Sequence, residues 1–346
     1  MASARVALIG LGGIADAHLR KLRWMEGVEV AGVCDLSASL AEAVAERFGV
    51  PLATTDAERL IRETRPDAVH VLTPPGPHRA LTELALRAGA HVLVEKPIAT
   101  SWEDYVAMRD GARAAGRLLV EDFNYRFQRS ALHALDLLRG GAIGDPVNLD
   151  VAMNVGLSGG AYADPVVRHF AHALPGGALF NFASHPASIV AAVLGPHDAV
   201  RARLHRLEPD GQSDDELRAV VAAGDASATL TLTSHAQPSC FVATVRGTRG
   251  FLELDLWGQR VHVAARSGRV GRLLDDLGAG GSRLGAVLAA AGRLATARNE
   301  YVEGLGTLLE RFYAAVRGEA PTPLPIAEMD AANRLLHDLF AEENRL

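Results

Sequence analysis

Arg5-Val6-Ala7-Leu8-Ile9-Gly10-Leu11-Gly12-Gly13-Ile14-Ala15 stands near the amino terminus. Residues 6–9 are a short apolar run, and the residues after them read G-x-G-x-x-A. An apolar strand entering this turn and leaving as a helix is the context in which the pattern carries meaning. Gly10 permits the tight turn, Gly12 lets the backbone approach a pyrophosphate, and Ala15 permits close helix–strand packing. Gly13 and Ile14 stand at the helix N-terminus, which faces the anion. Asp35 ends the second apolar run, at the spacing where a carboxylate accepts hydrogen bonds from ribose hydroxyls and repels a 2′-phosphate. No basic residue follows it in Leu36-Ser37-Ala38-Ser39. The stretch therefore reads as a dinucleotide site for NAD rather than NADP.

Further apolar, β-branched runs follow at 28–34, 68–72, 91–94 and 118–120, with helical spacing at Leu40, Val44 and Phe48 and over 78–88 and 102–115. Continuous apolar strands alternating with helices argue a parallel sheet covered on both faces. The second half changes character. Residues 226–234 alternate small or polar with apolar side chains, and 241–246 and 251–256 follow through Gly247-Thr248-Arg249-Gly250. That reads as a meander of half-exposed antiparallel strands. The expected organisation is a dinucleotide domain over 1–123, an α+β domain over 124–326, and a C-terminal helical segment over 327–346 packing back on the first domain.

The chain has 346 residues, 49% hydrophobic and 22% charged, with a net charge of −6. This is globular composition with no basic stripe for a phosphate backbone, so nucleic acid is excluded as an expected partner. No apolar run approaches the roughly 20 residues that span a bilayer. The N-terminal residues lack the charged region and cleavage site of a signal peptide. Cys34 and Cys240 make neither a disulfide framework nor a metal quartet. The expectation is a cytoplasmic protein acting on a small molecule, with no membrane partner. Only two of the 35 basic residues are lysine, Lys21 and Lys96. A lysine kept in an arginine-rich background marks a place where guanidinium does not substitute, because lysine can lose its proton when desolvated.

Thr73-Pro74-Pro75-Gly76-Pro77-His78 and Val94-Glu95-Lys96-Pro97 each follow an apolar strand. They belong to the carboxyl edge of the sheet, where open α/β sheets bind ligands. Thr73, Pro74, His78, Glu95 and Lys96 are candidates for the nicotinamide edge. The Lys96 ammonium there polarises a substrate hydroxyl or carbonyl and stabilises a developing alkoxide.

These motifs, with His18 and with Asn124-Tyr125-Arg126-Phe127, resemble the Gfo/Idh/MocA oxidoreductases. The likeness extends to Gly140-Gly141-Ala142-Ile143-Gly144 and Val245-Arg246-Gly247-Thr248-Arg249-Gly250. It implies an α/β fold: a Rossmann doubly wound parallel sheet, then an α+β domain with a large, mostly antiparallel open sheet. It also implies a nicotinamide cofactor, a homodimer or homotetramer, and sugars, polyols or glycosides as substrates.

Members of that family carry an Asp and, four residues later, a His on one helix face; here Asn181 and His185 stand in those places. Residues four apart share a helix face. Asn orients an imidazole without supplying the charge that stabilises its protonated form. Pro186 either kinks one helix or starts a second. Tyr125, Arg168, His169 and His172 are substrate-side candidates, and Arg126 is either a support of the nicotinamide edge or a structural ion-pair partner. The histidines lack convincing metal-ligand spacing, so no metal is expected. Residues 283–298, RLGAVLAAAGRLATAR, read as a core or subunit contact, an apolar lid, or least favourably a peripheral membrane helix.

The function read from these residues is NAD-dependent hydride transfer at a secondary alcohol or ketone of a sugar, polyol or glycoside. Lys96 and His185 handle the hydroxyl proton and Asn181 positions His185. Two alternatives stand beside it. One is glycoside cleavage by transient C3 oxidation and elimination, and the other is a dinucleotide-binding module without turnover.

Overall fold

The computed structural model describes residues 3–156, 162, 169–208, 213–265 and 301–346. They form two compact units, Met1–Asp122 with Leu305–Ile326 and Phe123–Gly304 with Ala327–Leu346.

In the first unit, β1 (Ala4–Ile9), β2 (Val28–Cys34), β3 (Ala53–Thr54), β4 (Ala68–Val71), β5 (His91–Val94) and β6 (Leu119–Glu121) form a parallel sheet ordered β3-β2-β1-β4-β5-β6. Every residue of β4 is buried, as are Val6, Ala7 and Leu8 of β1. A strand enclosed on both faces needs helices on both sides, and α1 (Gly13–Leu22), α2 (Ala38–Phe48), α3 (Ala57–Thr64), α4 (His78–Arg87) and α5 (Trp102–Ala115) alternate with the strands. Polar caps start α2 and α5: the Ser37 hydroxyl accepts the Leu40 N–H and the Ser101 hydroxyl accepts the Asp104 N–H. Left-handed glycines, Gly49 and Gly116, end those same two helices. The strand order reverses between β1 and β4, so their carboxyl ends flank the switch point of the sheet.

In the second unit, β7 (Pro146–Asn154), β8 (Ala199–His205), β9 (Glu216–Ala223), β10 (Ala226–Thr233), β11 (Cys240–Gly247), β12 (Phe251–Asp255) and β13 (Arg260–Ala264) lie in the order β13-β12-β11-β7-β10-β9-β8. The expected meander is interrupted. β10 and β11 are consecutive in sequence but do not pair; β7 lies between them, parallel to β10 and antiparallel to β11. The alternation of buried Leu149, Val151 and Met153 with half-buried neighbours fits β7 to this central place. The inner face packs with α6 (Arg129–Arg139) and α7 (Gly177–Leu194) in one core.

The C-terminal helix corrects an expectation. Of the last two helices, α8 (Tyr301–Val316) and α9 (Ile326–Phe340), it is α8 that returns to the first unit. Leu305, Leu308, Leu309, Phe312 and Tyr313 of α8 are fully buried. The segment from Ala327 instead belongs to the second unit, where Leu335, Leu336 and Leu339 join the core and Phe340 packs on Phe180 at 5.2 Å between ring centroids.

Among the described residues one helix, α7, is long and apolar enough to cross a membrane, and 78% of its apolar window is buried inside the protein.

Candidate active site

β1 ends at Ile9 and the chain turns at Gly10, whose φ of +90° lies in the region that favours glycine. A Cβ there would lie 2.7 Å from the Thr73 backbone nitrogen, so the close approach of two strand ends also requires glycine. At Gly12 and Gly13 a Cβ would meet nothing within 4 Å. Both glycines are exposed at the start of α1, which no side chain caps. Uncapped first-turn N–H groups over open space are what an anionic group requires. Ile14 is half-buried one residue further on.

Asp35 holds this turn. Its Oδ2 accepts the Leu11 N–H at 2.8 Å and its Oδ1 accepts the Ser37 N–H at 3.0 Å. A carboxylate oxygen has two lone pairs, so these bonds leave acceptor capacity for hydroxyls. Thr73 follows β4, beside Gly10; its hydroxyl oxygen is buried and has no hydrogen-bond partner among the described residues. An orphaned hydroxyl next to an open glycine turn fits a polar ligand group. Pro74 is exposed beside it. His78 is placed differently from the sequence expectation of a cofactor contact. Its ring nitrogens lie 3.0 Å from the Ile98 carbonyl and 2.8 Å from the Thr73 carbonyl, so the ring ties two turns together. Burial pushes its pKa down, against the two carbonyls that favour the proton.

β5 delivers Glu95 and Lys96, followed by a cis bond to Pro97. Burial, and then the charge of Asp122, push the Glu95 carboxyl well above the usual carboxylate range. Burial pushes the Lys96 ammonium down, opposed by Glu95, Asp122 and Glu121. Glu121 also accepts the Ile98 N–H at 3.1 Å. His18, Glu95 and Asp122 each bring a polar atom within 4.8 Å of the others. His18 Nε2 lies 3.2 Å from Asp122 Oδ2, the length of an N–H donating to a carboxylate, and Lys96 supplies the local cation. Hydrogen bonding and this charge pairing account for the cluster. Sequence reasoning did not group His18 with Asp122; 104 residues separate them.

In the second unit, α7 is one continuous helix with Pro186 in its interior, which decides between the two sequence readings. Proline offers no N–H, so the turn before it is loosened where His185 sits. Asn181 and His185 are both buried. The Asn181 amide donates to the Tyr162 hydroxyl at 3.1 Å. The His185 ring stands edge-on to Tyr125 at 4.6 Å, and the Trp257 indole donates to the Tyr125 hydroxyl at 3.2 Å. Tyr125 and His185, two sequence candidates, are thus brought together.

His169 and His172 are gathered around a residue the sequence reading missed, Tyr162. The His169 ring lies 4.3 Å from the Tyr162 ring, and His172 Nε2 lies 2.9 Å from the Tyr162 carbonyl oxygen. His172 Nδ1 also lies 3.2 Å from the Ser213 hydroxyl. Tyr162 is a lone aromatic in a run of small residues, Gly159-Gly160-Ala161-Tyr162-Ala163, and that isolation was its only signal. Arg168 and residues 283–298 lie outside the described residues. Arg126 is a structural partner, ion-paired with Glu328.

The chain matches two domain models. One, described as an oxidoreductase family with an NAD-binding Rossmann fold, covers residues 4–123. The other, described as the GFO/IDH/MocA C-terminal domain, covers residues 131–253. A D-glucoside 3-dehydrogenase of Escherichia coli is 35% identical over 142 residues, 41% of this chain and 40% of that protein. Glycosyl hydrolase family 109 protein 2 of Akkermansia muciniphila is 33% identical over 159 residues, 43% of this chain and 33% of that protein. The match thus spans well under half the length of these two relatives. The fold is that of the WlbA dehydrogenase from Bordetella pertussis, solved with NADH and UDP-GlcNAcA, at a TM-score of 0.82 and 20% identity over 98% of this chain and 95% of that one.

Proposed function

The chain belongs to the Gfo/Idh/MocA oxidoreductases, and on that premise we propose that it transfers a hydride between NAD and a secondary alcohol or ketone of a sugar, polyol or glycoside. The observation that carries the reading is Lys96 among Glu95, Glu121 and Asp122 at the end of β5, in the same sheet as the open Gly12–Gly13 turn. When bound, NAD supplies the hydride-accepting nicotinamide. Gly10, Gly12, Gly13 and Ile14 hold the pyrophosphate, Asp35 takes the ribose hydroxyls, and the Thr73 hydroxyl and Pro74 border the nicotinamide side. Lys96 donates a hydrogen bond to the substrate oxygen and stabilises it as the hydroxyl proton leaves. On the second unit, His185 is the second proton-handling group, steadied by Tyr125, with Asn181 as its neutral orienting neighbour. Tyr162, His169 and His172 are assigned to substrate hydroxyls. A homodimer or homotetramer is proposed on the outer face of the second sheet, where Val220 and Phe251 are exposed.

The relative named as a glycosyl hydrolase favours a second reading, glycoside cleavage by transient C3 oxidation, elimination and return of the hydride. One experiment separates the two. The purified protein is mixed with NAD and a panel of sugars, inositols and aryl glycosides, with absorbance and product analysis on each. NADH accumulation supports the dehydrogenase. Product without NADH accumulation supports cleavage. Neither signal across the panel, with NAD bound, refutes both for these substrates.

A further inference from the structure

The first unit has a second concave site, at the amino-terminal edge of its sheet. A cavity of about 660 Å³ lies where β1, β4, β5 and β6 begin, and Arg62, Arg65, Asp67, His91, Arg117 and Arg317 are among the residues that line it. All of them belong to the first unit. β1 has six residues, which at about 3.3 Å per residue sets this edge roughly 20 Å from the glycine turn. The reaction proposed above uses none of the six side chains.

The cavity is rich in donors that lack acceptors. The Leu118 N–H donates to His91 Nδ1 at 3.0 Å. A nitrogen that accepts a hydrogen bond carries no proton, so the ring proton of His91 is on Nε2 and the ring is neutral. Burial, then the charge of Arg117, push its pKa down in the same sense. His91 Nε2 lies 3.5 Å from Arg117 Nη1. An arginine nitrogen only donates, so the two groups are donors set against each other. An oxygen bound between them accepts from both.

Arg317 adds a third vacant donor. Its Nε and Nη2 grip the Glu319 carboxylate at 2.9 and 2.8 Å, while its Nη1 is buried with no hydrogen-bond partner among the described residues. Arg62 and Arg65, at the end of α3, are exposed, and their side chains make no ion pair or hydrogen bond among the described residues. Against these guanidiniums the lining offers one carboxylate, Asp67, whose Oδ2 already accepts the Arg5 N–H at 2.8 Å.

α3 ends at Thr64 and α8 at Val316, so cations here complement two helix C-termini. That accounts for positive charge at this edge. It does not account for two donors facing each other, nor for a buried guanidinium nitrogen without an acceptor. The volume is that of a small-molecule site, and the arginine fork matches phosphate and carboxylate oxygens. A single anionic group leaves most of the cations unmatched.

We propose that this cavity binds a small polyanion carrying at least two phosphate or carboxylate groups, one of whose oxygens sits between His91 Nε2 and Arg117 Nη1.

The test is calorimetric titration of the protein with inorganic pyrophosphate, citrate and inorganic phosphate, at one ionic strength and with NAD saturating so that the glycine turn is occupied. Pyrophosphate or citrate is expected to bind at least about tenfold more tightly than phosphate, because it engages a second arginine. The tighter of the two tells a phosphate ligand from a carboxylate one. Arg65→Gln and Arg117→Gln, both at exposed residues, are each expected to weaken binding by about tenfold or more, the usual worth of a charged hydrogen bond. Arg59→Gln removes a charge from the same helix outside the cavity and should leave the affinity unchanged. No binding at millimolar anion, equal affinity for all three anions, or an affinity that Arg65→Gln and Arg117→Gln leave unmoved with circular dichroism intact overturns the proposal.

Discussion

Asp35 and Leu11 join the ends of two neighbouring strands: the carboxylate at the end of β2 accepts the backbone N–H of the glycine turn after β1 at 2.8 Å. The acidic residue of the dinucleotide pattern is therefore a brace for the turn as well as the proposed ribose acceptor. Asp35→Ala removes the acceptor of both the Leu11 and the Ser37 N–H. The expected cost is about 2 kcal/mol of stability, the ordinary price of unmet donors at a charged acceptor. NAD affinity is expected to fall at least about tenfold. Thermal unfolding and isothermal titration with NAD read the two effects separately.

The two glycines of the turn separate structure from binding. Gly10→Ala meets the Thr73 nitrogen at a φ of +90° and is expected to destabilise the protein by about 1–3 kcal/mol. Gly12→Ala meets no protein atom, so the melting temperature should hold while NAD binding weakens. Equal loss of stability in both variants counts against the assignment of Gly12 to the pyrophosphate.

Lys96→Met removes the ammonium but keeps much of the stem. Turnover is expected to drop by about 10²–10⁴-fold, the usual range for a proton-handling group, with NAD still bound. Unchanged turnover removes Lys96 from the mechanism. The experiment follows NAD affinity and product formation in the same preparation.

Asn181→Asp introduces a carboxylate one helix turn from His185. A neighbouring negative charge favours the protonated imidazole, so a base at His185 then needs a higher pH to be neutral. The acid limb of the pH–rate profile should move to higher pH, by about one unit. A profile that does not move excludes His185 as the base.

Buried histidines also set an acid limit. His78 has a folded-state pKa below the ordinary 6.5, so the unfolded chain binds more protons between those two values. Its stability contribution is present above the ordinary value and is lost as pH falls beneath it, by up to about 1.4 kcal/mol per pH unit. His78→Gln keeps a side chain able to bond a carbonyl but does not titrate. Urea unfolding at pH 7 and pH 5 should show a smaller acid loss in the variant than in the parent.

The first sheet was legible because its strands are enclosed on both faces and stand out as continuous apolar runs between helices. The glycine turn was legible because it is local, with six residues in fixed spacing. β7 was obscured because alternation over residues 146–154 is a weaker signal than a run, and its neighbours β10 and β11 come from more than 70 residues later. The destination of α9 was not legible, since an apolar stripe does not say which core it enters. The bonding of His78 was not legible for a related reason. Sequence placed it at the right edge of the sheet, but only the fold shows that two carbonyls occupy its nitrogens. The buried contacts that run from Tyr313 through His70 and His18 to Asp122 were out of reach, because these residues are scattered from 18 to 313 and no periodicity links them.

The chain leaves the first unit after Asp122 and re-enters it only at Leu305. A ribosome therefore releases most of the second unit before it supplies the helix that bears Tyr313. Until then the nascent first unit lacks the buried leucines of α8 and the Tyr313 hydroxyl that meets His70. A gene fragment ending at residue 122 would encode the whole sheet without one of the helices that belong to its unit, and a workable excision would need to splice residues 305–326 back onto it. The same interlacing makes closure late in synthesis, since contacts of such long sequence separation form slowly.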